Sequence, residues 1–339
     1  MSNSSTKVVV TGAGGFIGHH LVAHLKKQGY WVRGVDLKYP DYRKTEADEF
    51  EILDLRRSDD ALRAMRGGID EVYALAADMG GMGFISSNNA LILHNNALIN
   101  IHTMEAARLH GVKRYLYTSS ACIYPEYRQT DAAVVPLKEE DAYPAQPQDA
   151  YGWEKLVTEV LAHHYHLDYG IEMRVVRFHN IFGEYGTWEG GREKAPAAMC
   201  RKVAMAKLTG NPVVEIWGDG EQTRSFCHVD DCVVGIDKLM RSNYSEPINL
   251  GQDRMVTINE LADLVASVAG VKIEKKHIPG PQGVRGRNSD NTRLREVLKW
   301  EPDISLEAGL ARTYEWIEAQ VKAKLEAHPE LAASVAVGK

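Results

Sequence analysis

Residues 7–28 read as a short β-branched strand (KVVVT), a glycine-rich loop and a helix stopped at Gly29. So brief an apolar run suits a strand buried on both faces, as parallel strands are. The loop, TGAGGFIG over 11–18, sets glycines at 12, 15 and 18. Gly12 permits the tight strand-to-helix turn, Gly15 lets the backbone approach a pyrophosphate, and Gly18 lets the helix pack closely on the sheet. The helix N-terminus adds free N–H groups and positive potential. A plain tight turn would also use glycine here, and the spacing is G-x-x-G-x-x-G rather than G-x-G-x-x-G. The strand before the loop and the helix after it favour the dinucleotide reading.

The pattern continues with strands predicted over 31–36, 51–53, 71–77, 114–119 and 173–178, and helices over 89–109 and 148–168. Such alternation predicts an α/β fold: a Rossmann-type doubly wound parallel sheet with helices on both faces. After residue 183 the pattern loosens into a helix over 196–207, a strand over 213–217 and shorter elements. We therefore expect a nucleotide-binding domain over 1–183, rejoined by about 228–252, a smaller α/β substrate-binding lobe over 184–320, and a tail over 321–339.

The 339 residues carry 40 Lys and Arg against 46 Asp and Glu, a net charge of −6. That balance argues against broad nucleic-acid binding but leaves room for a local basic pocket. The four cysteines, 122, 200, 227 and 232, form no CxxC pair and suit reduced thiols in the cytoplasm. No apolar leader or membrane-length apolar run stands out. The cluster His163, His164 and His166 is not a metal site, because adjacent helical residues point apart. No metal is expected.

Asp36 falls 18 residues after Gly18. It suits the acidic group that accepts from the adenosine ribose hydroxyls and repels a 2′-phosphate, so NAD is favoured over NADP. Asp54 is placed to meet the adenine, with Leu55 beside it. Ala76 and Ala77 are small enough for the cofactor to lie close, and Phe16 and Ile17 complete its surroundings. Tyr151 and Lys155 form Y-x-x-x-K, which shares one helix face. Lys155 is expected to lower the phenol pKa, making Tyr151 a base near neutrality. Ser119 and Ser120 end the preceding strand, where hydroxyls can orient a substrate alcohol.

Glycine loop, Asp36, serines and Y-x-x-x-K, in that order, resemble the extended short-chain dehydrogenase/reductase family over roughly residues 7–320. The resemblance implies NAD and a nucleotide sugar held between two lobes. Seven longer segments, AADMGGMGF (76–84), SSACIYPE (119–126), PQDAYGWEK (147–155), RFHNIFG (177–183), GGREKAPAA (190–198), WGDGEQTRSF (217–226) and HIPGPQGVRGRNSDN (277–291), look like the GDP-mannose 3,5-epimerases within it. That likeness implies GDP-mannose and related GDP-hexoses as substrates, GDP-L-galactose or the C5-only GDP-L-gulose as products, and a homodimer through the helices 89–109 and 148–168.

Oxidation of a hexose at C4 makes a ketone, which acidifies the protons on C3 and C5. Inverting them needs groups that remove and return protons on opposite faces. The resemblance implies Cys122 and Lys194 as that pair, Tyr151 as the base at the C4 hydroxyl, and Ser120 as its holder. It further implies substrate contacts from Gly80, Ala121, Asn180, Glu193, Ala195, Lys202, Gln222, Thr223, Arg224, Ser225, Arg285 and Arg287, with the cations on the diphosphate. The Gly81–Gly83 run is expected to let the sugar approach the backbone. Two alternatives stand beside this reading: a 4-epimerase or 4,6-dehydratase of the same fold, and a non-catalytic dinucleotide-binding protein.

Overall fold

The middle strand of the main sheet is β1 (Lys7–Thr11). Val8, Val9 and Val10 are all wholly buried: Val8 and Val10 join the apolar cluster on one face of the sheet, Val9 the cluster on the other. This two-sided burial is why the strand is β-branched throughout. In the computed structural model, which describes residues 5–331, the chain continues through α1 (Phe16–Lys27), β2 (Trp31–Asp36), β3 (Glu49–Ile52), α2 (Ser58–Ala64), β4 (Glu71–Ala74), α3 (Met82–Ser87) and α4 (Asn89–Leu109). Then come β5 (Arg114–Ser120), α5 (Ala150–Tyr169), β6 (Glu172–Phe178), β7 (Ile181–Phe182), α6 (Ala195–Thr209), β8 (Val213–Trp217), β9 (Thr223–Ser225) and β10 (Cys227–His228). The remainder is α7 (Val229–Arg241), β11 (Ile248–Leu250), β12 (Met255–Thr257), α8 (Ile258–Ala269), β13 (Glu274–Ile278), β14 (Gly286–Arg287), α9 (Thr292–Leu298) and α10 (Leu306–Ala327).

The main sheet has seven parallel strands in the order β11-β6-β5-β4-β1-β2-β3. The order reverses between β1 and β4, which opens a crevice at the strands' carboxyl ends. The chain leaves after β6 and returns, so that α7 packs in the cluster under α1 and β11 extends the edge beside β6. The second lobe is a helical layer of α6, α8 and α10 over short sheets, β12-β9-β14 and β13-β8.

The structure departs from the sequence expectation in three places. The strand expected to reach residue 77 ends at Ala74, because the N–H groups of Leu75 and Ala76 both donate to Thr11 Oγ1 at 3.1 Å instead of to a neighbouring strand. The segments α2 and α3 are helices too short to show a period in sequence. The stretch read as a tail from 321 is helical to Ala327, with Val321 buried beside Ile317 against α6 and α8; residues 332–339 lie outside the described residues.

α5 is capped by Asp149, whose carboxylate accepts from Gly152 N–H at 2.8 Å, and it ends on left-handed Gly170. Along its buried face Glu159 meets Arg177 of β6 through two bonds of 2.9 and 2.7 Å. Both side chains are almost wholly buried. Arg177→Met, which strands the Glu159 charge, is expected to lower unfolding stability by about 3–5 kcal/mol. Urea unfolding checks this; a loss inside experimental error would show that the pair does not lock α5 to the sheet.

Candidate active site

One large cleft, about 930 Å³, runs along the carboxyl ends of the main strands and into the gap between the lobes. Its dinucleotide end is shaped by missing side chains. A Cβ on Gly18 would stand 2.0 Å from the Gly12 carbonyl oxygen, and one on Gly14 would stand 2.1 Å from the Lys38 carbonyl oxygen. Gly12 itself has φ +70°, a conformation that disfavours any Cβ. Gly14, which the sequence reading passed over, also donates its N–H to Asp36 Oδ2 at 2.9 Å, while Leu37 N–H reaches Oδ1 at 2.6 Å. These bonds fix the Asp36 carboxylate at the cleft wall. Burial pushes its pKa up, and the backbone N–H groups oppose that shift. Asp54 is gripped by Arg56 through a fork of 2.8 and 2.6 Å, and both line the cleft beside Leu55. The loop, Asp36, Phe16, Ile17, Ala76 and Ala77 thus form a cradle that side chains would fill, and an extended dinucleotide fits it.

Next to this end, Tyr151 and Lys155 face the cleft from one side of α5. Lys155 Nζ donates to the Thr118 carbonyl at 2.9 Å and stands 5.7 Å from the Tyr151 ring centre. The expected lowering of the phenol pKa is not what this arrangement produces. Burial pushes Tyr151 well up, the Cys122 and Glu154 charges add to that, and only the Ser120 hydroxyl draws it back. Lys155 is itself buried, and burial pushes its ammonium down while the Glu154, Glu159 and Cys122 charges oppose that shift. Ser119 also lines the cleft, but its hydroxyl is engaged, donating to Glu159 at 2.5 Å. Ser120 is the available one, and its Oγ also accepts the Cys122 N–H at 3.2 Å.

Cys122 sits in a 3₁₀ turn after β5, half-buried, with Arg287 Nη1 donating to its sulfur at 3.2 Å. Lys194 enters from the other lobe as the residue before α6. Its carbonyl accepts from Ala198 N–H at 2.9 Å, and its side chain has no hydrogen bond or ion pair among the described residues. Burial pushes its ammonium down, and the Cys122 charge acts against that shift. The thiol and the amine thus line one cleft from two lobes.

Beyond them lie Lys202, Arg224 and Arg287. Arg224 donates to three backbone carbonyls, those of Thr223, Gln282 and Val284, at 2.7, 3.2 and 2.7 Å. Burial, then repulsion from Arg287, brings its pKa down to about 9. Lys202 donates to the Glu215 carbonyl at 2.5 Å. Among the described residues neither these three cations nor Lys194 has an ion pair, so this part of the cleft holds cations that no carboxylate neutralises. Gly80, Ala121, Asn180, Glu193, Ala195 and Gln222 also line it. Asn180 does so in a left-handed conformation, φ 46°, with its amide donating to the Ser225 carbonyl at 2.9 Å.

Three expected substrate residues lie off the cleft wall. Arg285 is turned to Asp219 at 2.8 Å. Thr223 is buried, with its hydroxyl on the Ala132 carbonyl at 2.5 Å. Ser225 is wholly buried. Strand alternation explains the last two: Thr223 and Ser225 share one face of β9, and Arg224 takes the other. Sequence reasoning also missed Trp217, Asp78 and Arg192, all on the cleft wall. Trp217 carried a usable signal, a large aromatic at a strand end beside a Gly-Asp-Gly turn; it is 43% exposed. Gly18→Ala is expected to purify without bound dinucleotide while keeping its far-ultraviolet circular dichroism. Wild-type dinucleotide content in that variant would remove the loop from this role.

Residues 8–251 match the NAD dependent epimerase/dehydratase family. The chain is 51% identical over 322 residues to the GDP-mannose 3,5-epimerase of Arabidopsis thaliana, covering 94% of this chain and 84% of that one. It is 30% identical over 324 residues to the GDP-L-fucose synthase of Escherichia coli (strain K12), covering 92% and 97%. Among solved structures it is similar to the UDP-glucose 4-epimerase of Thermotoga maritima with UDP-glucose, with TM-score 0.84, 27% identity, and 93% and 99% of the two chains covered.

Proposed function

The chain belongs to the NAD dependent epimerase/dehydratase family, and from that premise we propose that it epimerises GDP-mannose at C3 and C5 through a 4-keto sugar. The observation that carries this is a thiol and a partly desolvated amine entering one cleft from opposite lobes, beside a serine and a tyrosine and ahead of unneutralised cations. The 51% identity to the Arabidopsis thaliana enzyme supports the same substrate.

NAD, when bound, would supply the hydride acceptor for C4 and the hydride that restores it, so the turnover would be redox-neutral. Gly12, Gly15, Gly18 and Asp36 would hold its adenosine and pyrophosphate, with Lys155 farther along the same cleft. Arg224, Arg287 and Lys202 meet the diphosphate of the sugar nucleotide. A dianion there relieves the repulsion that the empty set of cations suffers. Ser120 holds the C4 hydroxyl while Tyr151 takes its proton. Burial holds the Tyr151 phenol well above its ordinary range, so positive charge beside it would favour that transfer. With C4 a ketone, Cys122 and Lys194 exchange protons at C3 and C5 through enolates. Tyr151 then returns its proton to the C4 oxygen.

The enzyme acts in the cytoplasm as a homodimer on this reading. All four cysteines are free thiols, which supports a reducing compartment. Leu91, Leu93 and Ile101 of α4, with Trp153, Val157 and Val160 of α5, leave an exposed apolar face, which supports a two-fold helix pairing.

Purified protein with GDP-mannose in heavy water, read by NMR, is expected to place deuterium at both C3 and C5. Exchange at neither, with turnover of a UDP sugar, would favour a 4-epimerase instead. Cys122→Ala is expected to cut exchange by about 10²–10⁴-fold, the usual worth of a positioned acid or base; full retention would exclude the thiol. Val157→Glu is expected to convert the dimer to monomer in size-exclusion chromatography coupled to light scattering, and an unchanged mass would move the interface elsewhere.

A further inference from the structure

The acid–base pair is split between lobes: Cys122 stands on the first, and Lys194 hangs from a loop of the second. Their separation across a sugar ring must be set by whatever ties that loop to the first lobe. The tie is visible. Asp78 is fixed to α4, its carboxylate taking the Asn95 amide at 3.0 Å, while its N–H and carbonyl bond the Asn96 side chain at 2.6 and 3.1 Å. Arg192, two residues before Lys194, crosses the gap to Asp78 at 3.3 Å. Its guanidinium carbon lies 3.8 Å from the centre of the Phe84 ring. Phe84 packs in the same apolar cluster as Tyr151 and Cys122. So one side chain connects the Lys194 loop to the patch that holds both other reacting groups.

The backbones repeat the contact. Gly81 N–H donates to the Arg192 carbonyl at 3.1 Å. A Cβ on Gly81 would stand 2.6 Å from the Glu193 carbonyl oxygen, the atom one residue before Lys194. The glycine that sequence reading reserved for the sugar is therefore required small by the facing loop. From the loop's other side, the Glu193 carboxylate accepts from Gly191 N–H at 2.7 Å and from Arg201 at 2.8 Å, so the Lys194 segment is pinned to α6 as well. The ion pair alone is half-exposed and worth little, and a cation over a ring adds a modest attraction. Such a tie is strong enough to set a position and weak enough to let substrate in.

We propose that Arg192 is a positioning residue: clamped between Asp78 and Phe84, and seated on Gly81, it fixes Lys194 opposite Cys122 across the sugar ring. The inference rests on the epimerase reading for its kinetic consequence but not for the contact itself. Hydride transfer at C4 depends on Tyr151 and Ser120, which stand on the first lobe, and proton exchange at C3 and C5 depends on Lys194. Loosening the clamp separates the two.

The test uses the NAD-loaded enzyme, Arg192→Ala, Arg192→Lys and Gly81→Ala. On mixing Arg192→Ala with GDP-mannose, the near-ultraviolet signal of reduced nicotinamide is expected to form as in wild type. Deuterium uptake at C3 and C5 is expected to fall on the order of 100-fold, as a misplacement of about 1 Å produces. Arg192→Lys, which keeps the Asp78 charge but loses the flat stack, is expected to recover part of that. Gly81→Ala is expected to share the alanine signature. Backbone amide exchange, read by mass spectrometry without any sugar, is expected to speed up at 80–84 and 190–195 in Arg192→Ala. Unchanged amide protection, or equal loss of the nicotinamide signal and deuterium uptake, would overturn the assignment. Wild-type enzyme that takes up no deuterium would sink the reaction, while the amide measurement still judges the clamp.

Discussion

The carbonyl oxygen of Gly12 stands 2.0 Å from where a Gly18 Cβ would be. The rest of the molecule depends on that vacancy of side chain. It lets α1 start directly over β1, so that the helix N-terminus opens onto the place where the strand order reverses. The adjacent strand carries Asp36 to the same rim, and Gly14 holds its carboxylate there. Two strands over, β5 delivers Ser120 and the turn with Cys122. Strand spacing then sets the distance from a pyrophosphate at Gly15 to a hydroxyl at Ser120, with no need for a flexible element between them.

The second lobe supplies charge and closure. Arg224 and Arg287 stand near enough to repel, and burial weakens Arg224's hold on its proton to about 9. Neither has an ion pair among the described residues. A structure that needed only stability would pair or remove such groups, because buried unpaired charge is costly. Their backbone and glutamine partners keep them aimed: three carbonyls for Arg224, and the Gln129 oxygen at 2.6 Å for Arg287. The cost falls away when an anion of matching charge arrives. Arg287, one of these unpaired cations, also touches the Cys122 sulfur. An anion drawn to Arg287 would therefore change the surroundings of the thiol.

Much of this was legible in the residues. The β1–α1 glycine pattern, the acid at 36 and the tyrosine–lysine pair at i and i+4 each follow from local geometry, and local geometry is what a sequence records best. Thr223 and Ser225 lie off the cleft wall because a motif read as a block ignores the alternation of a strand: only one side of β9 can face the cleft. Arg285 lies off it because its guanidinium pairs with Asp219. The phenol pKa was misjudged for a different reason. Helical spacing brings Lys155 beside Tyr151, but spacing does not say that both are buried, and burial outweighs the neighbour. Arg192 was invisible because its partners lie at 78, 81 and 84, far along the chain, and nothing in a single sequence joins them.

That long-range clamp bears on which reaction the cleft can run. A 4-epimerase must present both faces of C4 to one hydride site, so the ring has to turn between the two transfers. A 3,5-epimerase returns hydride to the face it came from, and its ring must instead stay still while protons are exchanged on either side of C4. Rigid placement of two exchange groups helps the second and hinders the first. Here the segment before Lys194 is fixed to its helix through Glu193 and Arg201 and to the opposite lobe through Arg192 and Gly81. The Cys122 backbone is held by Ser120, and its sulfur accepts from Arg287. Exchange groups carried on two such anchored segments suit inversion at the carbons on either side of C4.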